Sequence, residues 1–446
     1  MAAIFGKNML RNFMFADDWT NMNHGSFGSV PRSVQNRLQE RQLLVEATPD
    51  QFIRYEYNRE LTAARIEIAK LVHAPLDTIV LVPNATSGID TILRNIEYSP
   101  GDHILFFDTI YGTCERTALH LAETTAVQIT YTPLVYPLSD SALLETFNKT
   151  VNRIHSRGER VKIAVFDAIS FQPGVRVPFE DLVKACRGLG ILSCVDGAHC
   201  IGQLPLDLLA VDPDFFVGNL HKWLFVPRGC AVLYAPVRTQ QLLRTTFPTG
   251  WGFRPKNARC NAYFALGPGQ KKPFETLFES FGTMDYSPFL CLQDALAFRQ
   301  GLGGEAKIMS YNSELAATGG RVMAGILGTK VLDNEEGTLT RGCSMVNVML
   351  PLDLSQLSGN VGRVIEDISQ SLVHRYRTYV PIFQHGQHVW VRASAQIYLE
   401  VEQFSFLGHA LRNLCEDVMR GERSYCAEHR ILEKPGELSK ASMQVL

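Results

Sequence analysis

Seven short apolar runs separated by helix-like patterns constrain the fold of this chain more than any other feature: Thr78 to Val82, His103 to Phe107, Val127 to Tyr131, Lys162 to Phe166, Ile191 to Val195, Asp214 to Gly218 and Gly229 to Tyr234. Strand-like runs alternating with helices predict an α/β fold, a mainly parallel seven-stranded sheet with helices on its faces. Most of these runs end in a polar residue, Gly or Pro. In open α/β sheets ligands gather at the carboxyl ends of strands, so a site is expected among those residues.

After Pro288 the pattern changes to a helix from Phe289 to Gly301, another from Lys307 to Leu327 with Gly328 as its stop, and strands near Val331, over Ser344 to Leu350 and over Val389 to Ala393. The expected organisation is an N-terminal arm over residues 1–20, a large domain over 21–288 and a smaller α+β domain over 289–446.

Two run ends carry chemistry. Asp196 closes Ser193-Cys194-Val195-Asp196, and Lys222 closes Gly218-Asn219-Leu220-His221-Lys222. A carboxylate that keeps a pyridine nitrogen protonated and an amine that bonds to an aldehyde are the groups pyridoxal 5'-phosphate (PLP) requires. A lysine close to a protonated ring and partly desolvated loses its proton more easily, a shift that Lys tolerates and Arg does not. Taken alone, Asp196 reads as a turn residue and Lys222 as a surface charge; the surrounding sequence favours the cofactor. Pro83-Asn84-Ala85-Thr86-Ser87-Gly88 follows the first run and opens an amphipathic helix. It is an N-cap signature and also a phosphate cradle, which Asn219 and His221 would complete. No GxxxxGK[ST] or GxGxxG occurs, against a nucleotide-binding reading.

The 446 residues, 46% of them hydrophobic, suffice for two or three domains. A net charge of -2 gives no footprint for nucleic acid or an anionic membrane. The ten cysteines form no CxxC pair and no cluster at zinc spacing, so they read as reduced core thiols, with no metal. Met1-Ala2-Ala3-Ile4-Phe5 lacks a secretory pattern, no segment has transmembrane length, and Met443-Gln444-Val445-Leu446 is no peroxisomal address. A cytoplasmic enzyme is expected.

Asn23-His24-Gly25-Ser26-Phe27-Gly28, Asn84-Ala85-Thr86, Asp196-Gly197-Ala198-His199 and His221-Lys222-Trp223 together resemble the class V aminotransferase-fold enzymes of the isopenicillin N epimerase and cysteine desulfurase group. Further segments, Arg54-Tyr55, Phe107-Asp108-Thr109-Ile110-Tyr111-Gly112-Thr113-Cys114, Pro173-Gly174-Val175-Arg176 and Arg392-Ala393-Ser394-Ala395-Gln396-Ile397-Tyr398, resemble the fungal C–S lyases that cleave hercynylcysteine sulfoxide and the related loline-pathway PLP enzyme. The resemblance implies a fold-type I PLP enzyme, a homodimer with active sites at the subunit interface, acting on a small amino-acid substrate.

It also implies roles. Lys222 would bind the cofactor and carry the Cα proton, and Asp196 would face the ring nitrogen. Tyr111 would stack on the ring, unless it is core. Ala85, Thr86, Asn219 and His221 would hold the phosphate, with Thr283 from the other subunit, while Ser170 and His199 would reach the phenolic oxygen or the lysine. His24, Gly25, Arg54, Trp251 and Arg392 would line the substrate, Arg392 gripping its carboxylate at two points unless it forms a structural salt bridge. Cys114 would be the acid near a departing sulfur, or an inert core thiol. His199 stands where those lyases tend to carry Gln, and Trp251 adds bulk to a probable substrate loop; such changes can redirect a carbanion. Three readings follow: a β-eliminating C–S lyase, an epimerase or carbon–carbon bond-forming cyclase of specialised metabolism, and a non-catalytic PLP-binding scaffold, which the intact Lys222 and Asp196 oppose.

Overall fold

A computed structural model describes residues 5–253, 255–256, 272–279, 282–355 and 361–421. Residues 1–4 and 422–446, which enter the leader and tail-address readings, lie outside the described residues, as does Phe281. The seven runs form one sheet of β1 (Ile79–Val82), β2 (Asp102–Phe107), β3 (Gln128–Thr132), β4 (Arg160–Asp167), β5 (Leu192–Asp196), β6 (Phe215–Asn219) and β7 (Ala231–Tyr234). The strand order is β1-β7-β6-β5-β4-β2-β3. Only β7 is reversed, antiparallel to both β1 and β6, while the remaining pairs are parallel. The link from Asn219 to Ala231 is too short for a crossover, so it returns the chain antiparallel. β7 begins after Gly229, which holds the preceding turn at φ 95°.

Alternation along each strand feeds two cores. β4 sends Ile163 and Val165 to one face and Ala164 and Phe166 to the other, and β5 divides Cys194 from Val195 in the same way. On the first face α1 (Ala85–Asn95) and α2 (Gly112–Thr124) bury Ile89, Ile92, Ala118 and Leu121. The second is covered by the helices Asp140–His155 and Phe179–Gly188 through Phe147, Val151 and Leu182. Cover on both sides is why the runs are continuously apolar. Continuing along the first face to the carboxyl edge, the next residues are Asp167 on β4 and Asp196 on β5, paired in register.

A small C-terminal sheet domain is built from β8 (Met345–Met349), β9 (Ile382–His385) and β10 (His388–Ser394), ordered β8-β10-β9 with antiparallel pairing. Its core joins these strands to α3 (Glu305–Leu327), α4 (Val361–Tyr376) and α5 (Val401–Met419) through Leu315, Met323, Ile368, Leu372, Leu407 and Leu411. Gly328 stops α3 in the left-handed conformation, φ 66°. The expected helix over Phe289 to Gly301 is interrupted at Cys291, giving Ser287–Leu290 and Leu292–Gly301. Val331 makes a single bridge to Val348 instead of a strand. Met9 and Phe13 pack into the C-terminal core, and the Gly6 N–H donates to Ile397 O at 2.8 Å, so the N-terminal segment lies against that domain. No helix among the described residues is long and apolar enough to cross a membrane.

Candidate active site

The ends of β4, β5 and β6 and the starts of α1 and α2 converge at the carboxyl edge of the large sheet. Lys222 sits in the short helix Leu220–Trp223 directly after β6. Its Nζ is 3.1 Å from His199 Nε2. Burial and the positive charge of Arg392 lower the Lys222 pKa to about 8, against the pull of Asp196 and Asp167. Burial also holds the His199 pKa well below its usual value, so a neutral imidazole accepts from the lysine. His199 Nδ1 is buried without a protein partner.

Asp196 is 3% exposed. Its Oδ1 accepts the Ala198 N–H at 2.9 Å and its Oδ2 faces Cys114 Sγ at 3.9 Å. Desolvation raises the carboxyl pKa. The Cys114 thiol, expected as an acid near a departing sulfur or as an inert core thiol, is buried in the first turn of α2, faces Asp196, and has its pKa pushed well up by burial. Asp167, which motif reading missed, lies next to Asp196 with its own pKa raised by burial and by that neighbour. The signal was two neighbouring parallel strands each ending in Asp.

Arg392 on β10 is fully buried and, among the described residues, held by neutral acceptors. Nη1 donates to Phe171 O at 2.7 Å, and Nη2 to Ser26 Oγ at 2.9 Å and Asn23 Oδ1 at 3.3 Å. Its Nε has no partner, and its Cζ lies 5.0 Å from the Phe171 ring centre. Burial lowers its pKa to about 10, which leaves it cationic at neutral pH. A structural salt bridge would supply a carboxylate; this guanidinium has a vacant donor instead. Phe171 also packs edge-on to Tyr111 at 5.3 Å and stacks on His199 at 6.5 Å, so it joins the ring-side, lysine-side and carboxylate-side groups. Phe171, Asn23 and Ser26 were not anticipated as site residues.

At the opposite end, the α1 N-terminus is partly capped. The Ala85 N–H donates to Asn219 Oδ1 at 2.9 Å and the Ser87 N–H to Asn84 Oδ1 at 2.8 Å, while the Gly88 N–H takes Asn84 O at 3.1 Å. The Thr86 N–H and hydroxyl are left toward the positive helix end. His221 directs Nδ1 to Cys230 O at 3.2 Å, which leaves Nε2 for another partner.

Other expected residues take different positions. His24 is 1% exposed, 3.0 Å from Tyr398 OH through Nδ1 and 5.4 Å from the Trp223 ring. Burial lowers its pKa to about 3. It packs behind the lysine turn, and its Nε2 is buried without a partner among the described residues. Gly25 donates its N–H to Ser394 Oγ at 3.2 Å, and Gly28, at φ 66°, approaches so closely that a Cβ would lie 1.8 Å from His221 O. The Ser170 hydroxyl is fully buried and donates to Pro173 O at 2.6 Å, bracing the loop that carries Phe171. Arg54, on the π-type turn Phe52–Glu56, pairs with Asp50 at 2.8 Å on the surface. Trp251 is 73% exposed and Thr283 is exposed on the loop before Ser287–Leu290. Within one chain these three are outside the Lys222 cluster.

An amine of lowered pKa, a buried carboxylate, an open helix N-terminus and a buried cation with a vacant donor fit the aldehyde, ring nitrogen and phosphate of PLP and the carboxylate of an amino acid.

A family model described as "Aminotransferase class-V" matches residues 32–351. The "L-cysteine desulfhydrase-like protein lolT1" of Epichloe uncinata is 37% identical over 443 residues, covering 94% of this chain and 97% of that protein. The "Hercynylcysteine sulfoxide lyase" of Schizosaccharomyces pombe is 28% identical over 416 residues, covering 92% of this chain and 98% of that protein. A solved complex between the cystine C–S lyase C-DES and its product cysteine persulfide superposes with TM-score 0.70 at 17% identity, covering 91% of this chain and 99% of that one. At that identity it shows the fold alone.

Proposed function

The chain belongs to the class V aminotransferase family and is a PLP-dependent enzyme, and from that premise we propose that it is a C–S lyase. The substrate class is a cysteine sulfoxide conjugate of the hercynylcysteine sulfoxide type. The observation that carries this reading is Arg392, a buried cation with a vacant donor, placed so that its charge lowers the Lys222 pKa. Likeness to a desulfhydrase-like protein and a sulfoxide lyase supports the sulfur chemistry.

When bound, PLP supplies the electron sink that makes the substrate Cα–H acidic. Asp196 holds the proton at the ring nitrogen, and the Thr86 N–H and hydroxyl, with Asn219 and His221, hold the phosphate. Arg392 grips the α-carboxylate and so orients the Cα–H bond toward Lys222. His199 directs the Lys222 amine, which takes that proton once it is neutral. With the cofactor in place, loss of that proton would let the sulfur group leave Cβ with the C–S bonding pair. Water then releases the remaining three-carbon fragment as pyruvate and ammonia.

The active unit is proposed as a homodimer in which Arg54, Trp251 and Thr283 reach the neighbouring site. Support comes from Phe27, Leu43, Tyr55 and Trp251, which are 67%, 71%, 79% and 73% exposed, large apolar side chains of a kind usually covered by a partner. A cytoplasmic setting is supported by the eight free, buried cysteines described. Incubation with S-substituted cysteine sulfoxides should release pyruvate, ammonia and the sulfenic product. Exchange of the Cα proton in heavy water without pyruvate would overturn the lyase reading in favour of an epimerase.

A further inference from the structure

Asp167 is 5% exposed and Asp196 3%, and their Cα atoms are partners in the parallel β4–β5 register. Partners in a parallel ladder point to the same face, so the carboxyls stand side by side at the sheet edge. Five groups influence or adjoin this pair: Lys222 from the turn after β6, Cys114 from α2, Tyr136 from the segment after β3, Cys194 on β5, and the Ala198 N–H from the segment after β5. Of these, only Lys222 can bring a positive charge, and burial with Arg392 weakens it as a cation. Two carboxylates this close and this deeply buried do not both ionise without a cation between them. Asp196 has Ala198 N–H and Cys114 S–H donors to support its ionised form, whereas Asp167 has its own backbone N–H.

We infer that Asp167 is a positioning residue acting through Asp196: in the cofactor-free protein the two carboxyls share one proton, and they pass it to the ring nitrogen of PLP on binding. The O–H bond of the pair breaks, an N–H bond forms at the ring, and both carboxylates end ionised against the pyridinium. The inference rests on the PLP reading. Its consequence is that cofactor capture requires one proton fewer from solvent than it would with Asp196 alone.

The test compares wild type with Asp167→Asn, and with Asp167→Ser should the Asn variant not fold, by titrating each cofactor-free protein with PLP between pH 6 and 8.5. The Kd of the variant should rise about tenfold more per pH unit than that of wild type, a difference of one proton in linkage terms. Calorimetry in two buffers of different ionisation enthalpy should give proton uptakes differing by about one. Thermal melting of the cofactor-free proteins adds a readout independent of the ligand. A carboxyl with a raised folded pKa retains a proton that the unfolded chain has lost, so the pair's contribution to wild-type stability should fall as pH rises above about 4, read as the difference between wild type and variant. The variant should lose most of that slope. Parallel Kd profiles, equal proton counts or matching melting slopes would overturn the inference. Failure of PLP to bind wild type would instead remove the cofactor reading itself.

Discussion

Arg392 acts on both Lys222 and the substrate, and two substitutions separate these effects. Burial and, after it, the Arg392 charge lower the Lys222 pKa to about 8, so in cofactor-free protein the amine should become reactive near that pH, well below an ordinary lysine. Arg392→Gln removes the cation, and the pH of half-maximal labelling of Lys222 should move upward. Arg392→Lys keeps the cation but loses the planar two-point grip, so labelling should stay near pH 8 while KM rises about tenfold, roughly 1.4 kcal/mol. Amine modification followed by peptide mapping, beside steady-state kinetics, reads both; an unmoved labelling profile in the Gln variant would show that burial alone sets the lysine. Lys222 and Asp196 were legible in the sequence because each ends an apolar run, a local property. The direction of Cys114 was not, since which side of the cofactor a helix turn presents depends on how α2 settles on the sheet. Asp167 escaped notice for a similar reason: a strand-end Asp is common, and only the register makes it half of a pair.

Among elements, α1 shows how a cap and a binding site share the same groups. Asn84 caps the helix and Asn219 ties its first N–H to the end of β6, leaving Thr86 for the phosphate. Asn84→Ala should cost about 0.5–2 kcal/mol of stability. It should also weaken PLP binding, because the Thr86 N–H would no longer be held in place; thermal melting with a cofactor titration checks both, and lost stability with unchanged affinity would separate the cap from the cradle. The strands of the large sheet were readable because cover on both faces makes them apolar throughout. The interruption at Cys291 was not, and neither was β9, whose Ile382–His385 run has only two buried residues, Ile382 and Phe383, side by side. The reversal of β7 follows from a link length that a list of runs does not convey.

At the scale of the molecule, exposed Leu43 and Tyr55 should lie in a subunit contact, so Leu43→Glu combined with Tyr55→Glu should bring the solution mass from about twice 49.9 kDa toward 49.9 kDa. Light scattering measures this directly, and an unchanged mass would move the interface elsewhere. The packing around Lys222 also has a consequence for the order in which the protein is made. His24, which braces the lysine turn, is itself held by Tyr398 across 374 residues of chain, and Gly25 by Ser394 across 369. At a synthesis rate of roughly 5–20 residues per second, the first partners wait about 20–75 s on the ribosome for the last. Lys222 and Asp196 emerge in that interval with neither Arg392 nor the brace behind them. A nascent chain therefore carries the amine and the acid of the site well before the groups that hold and tune them.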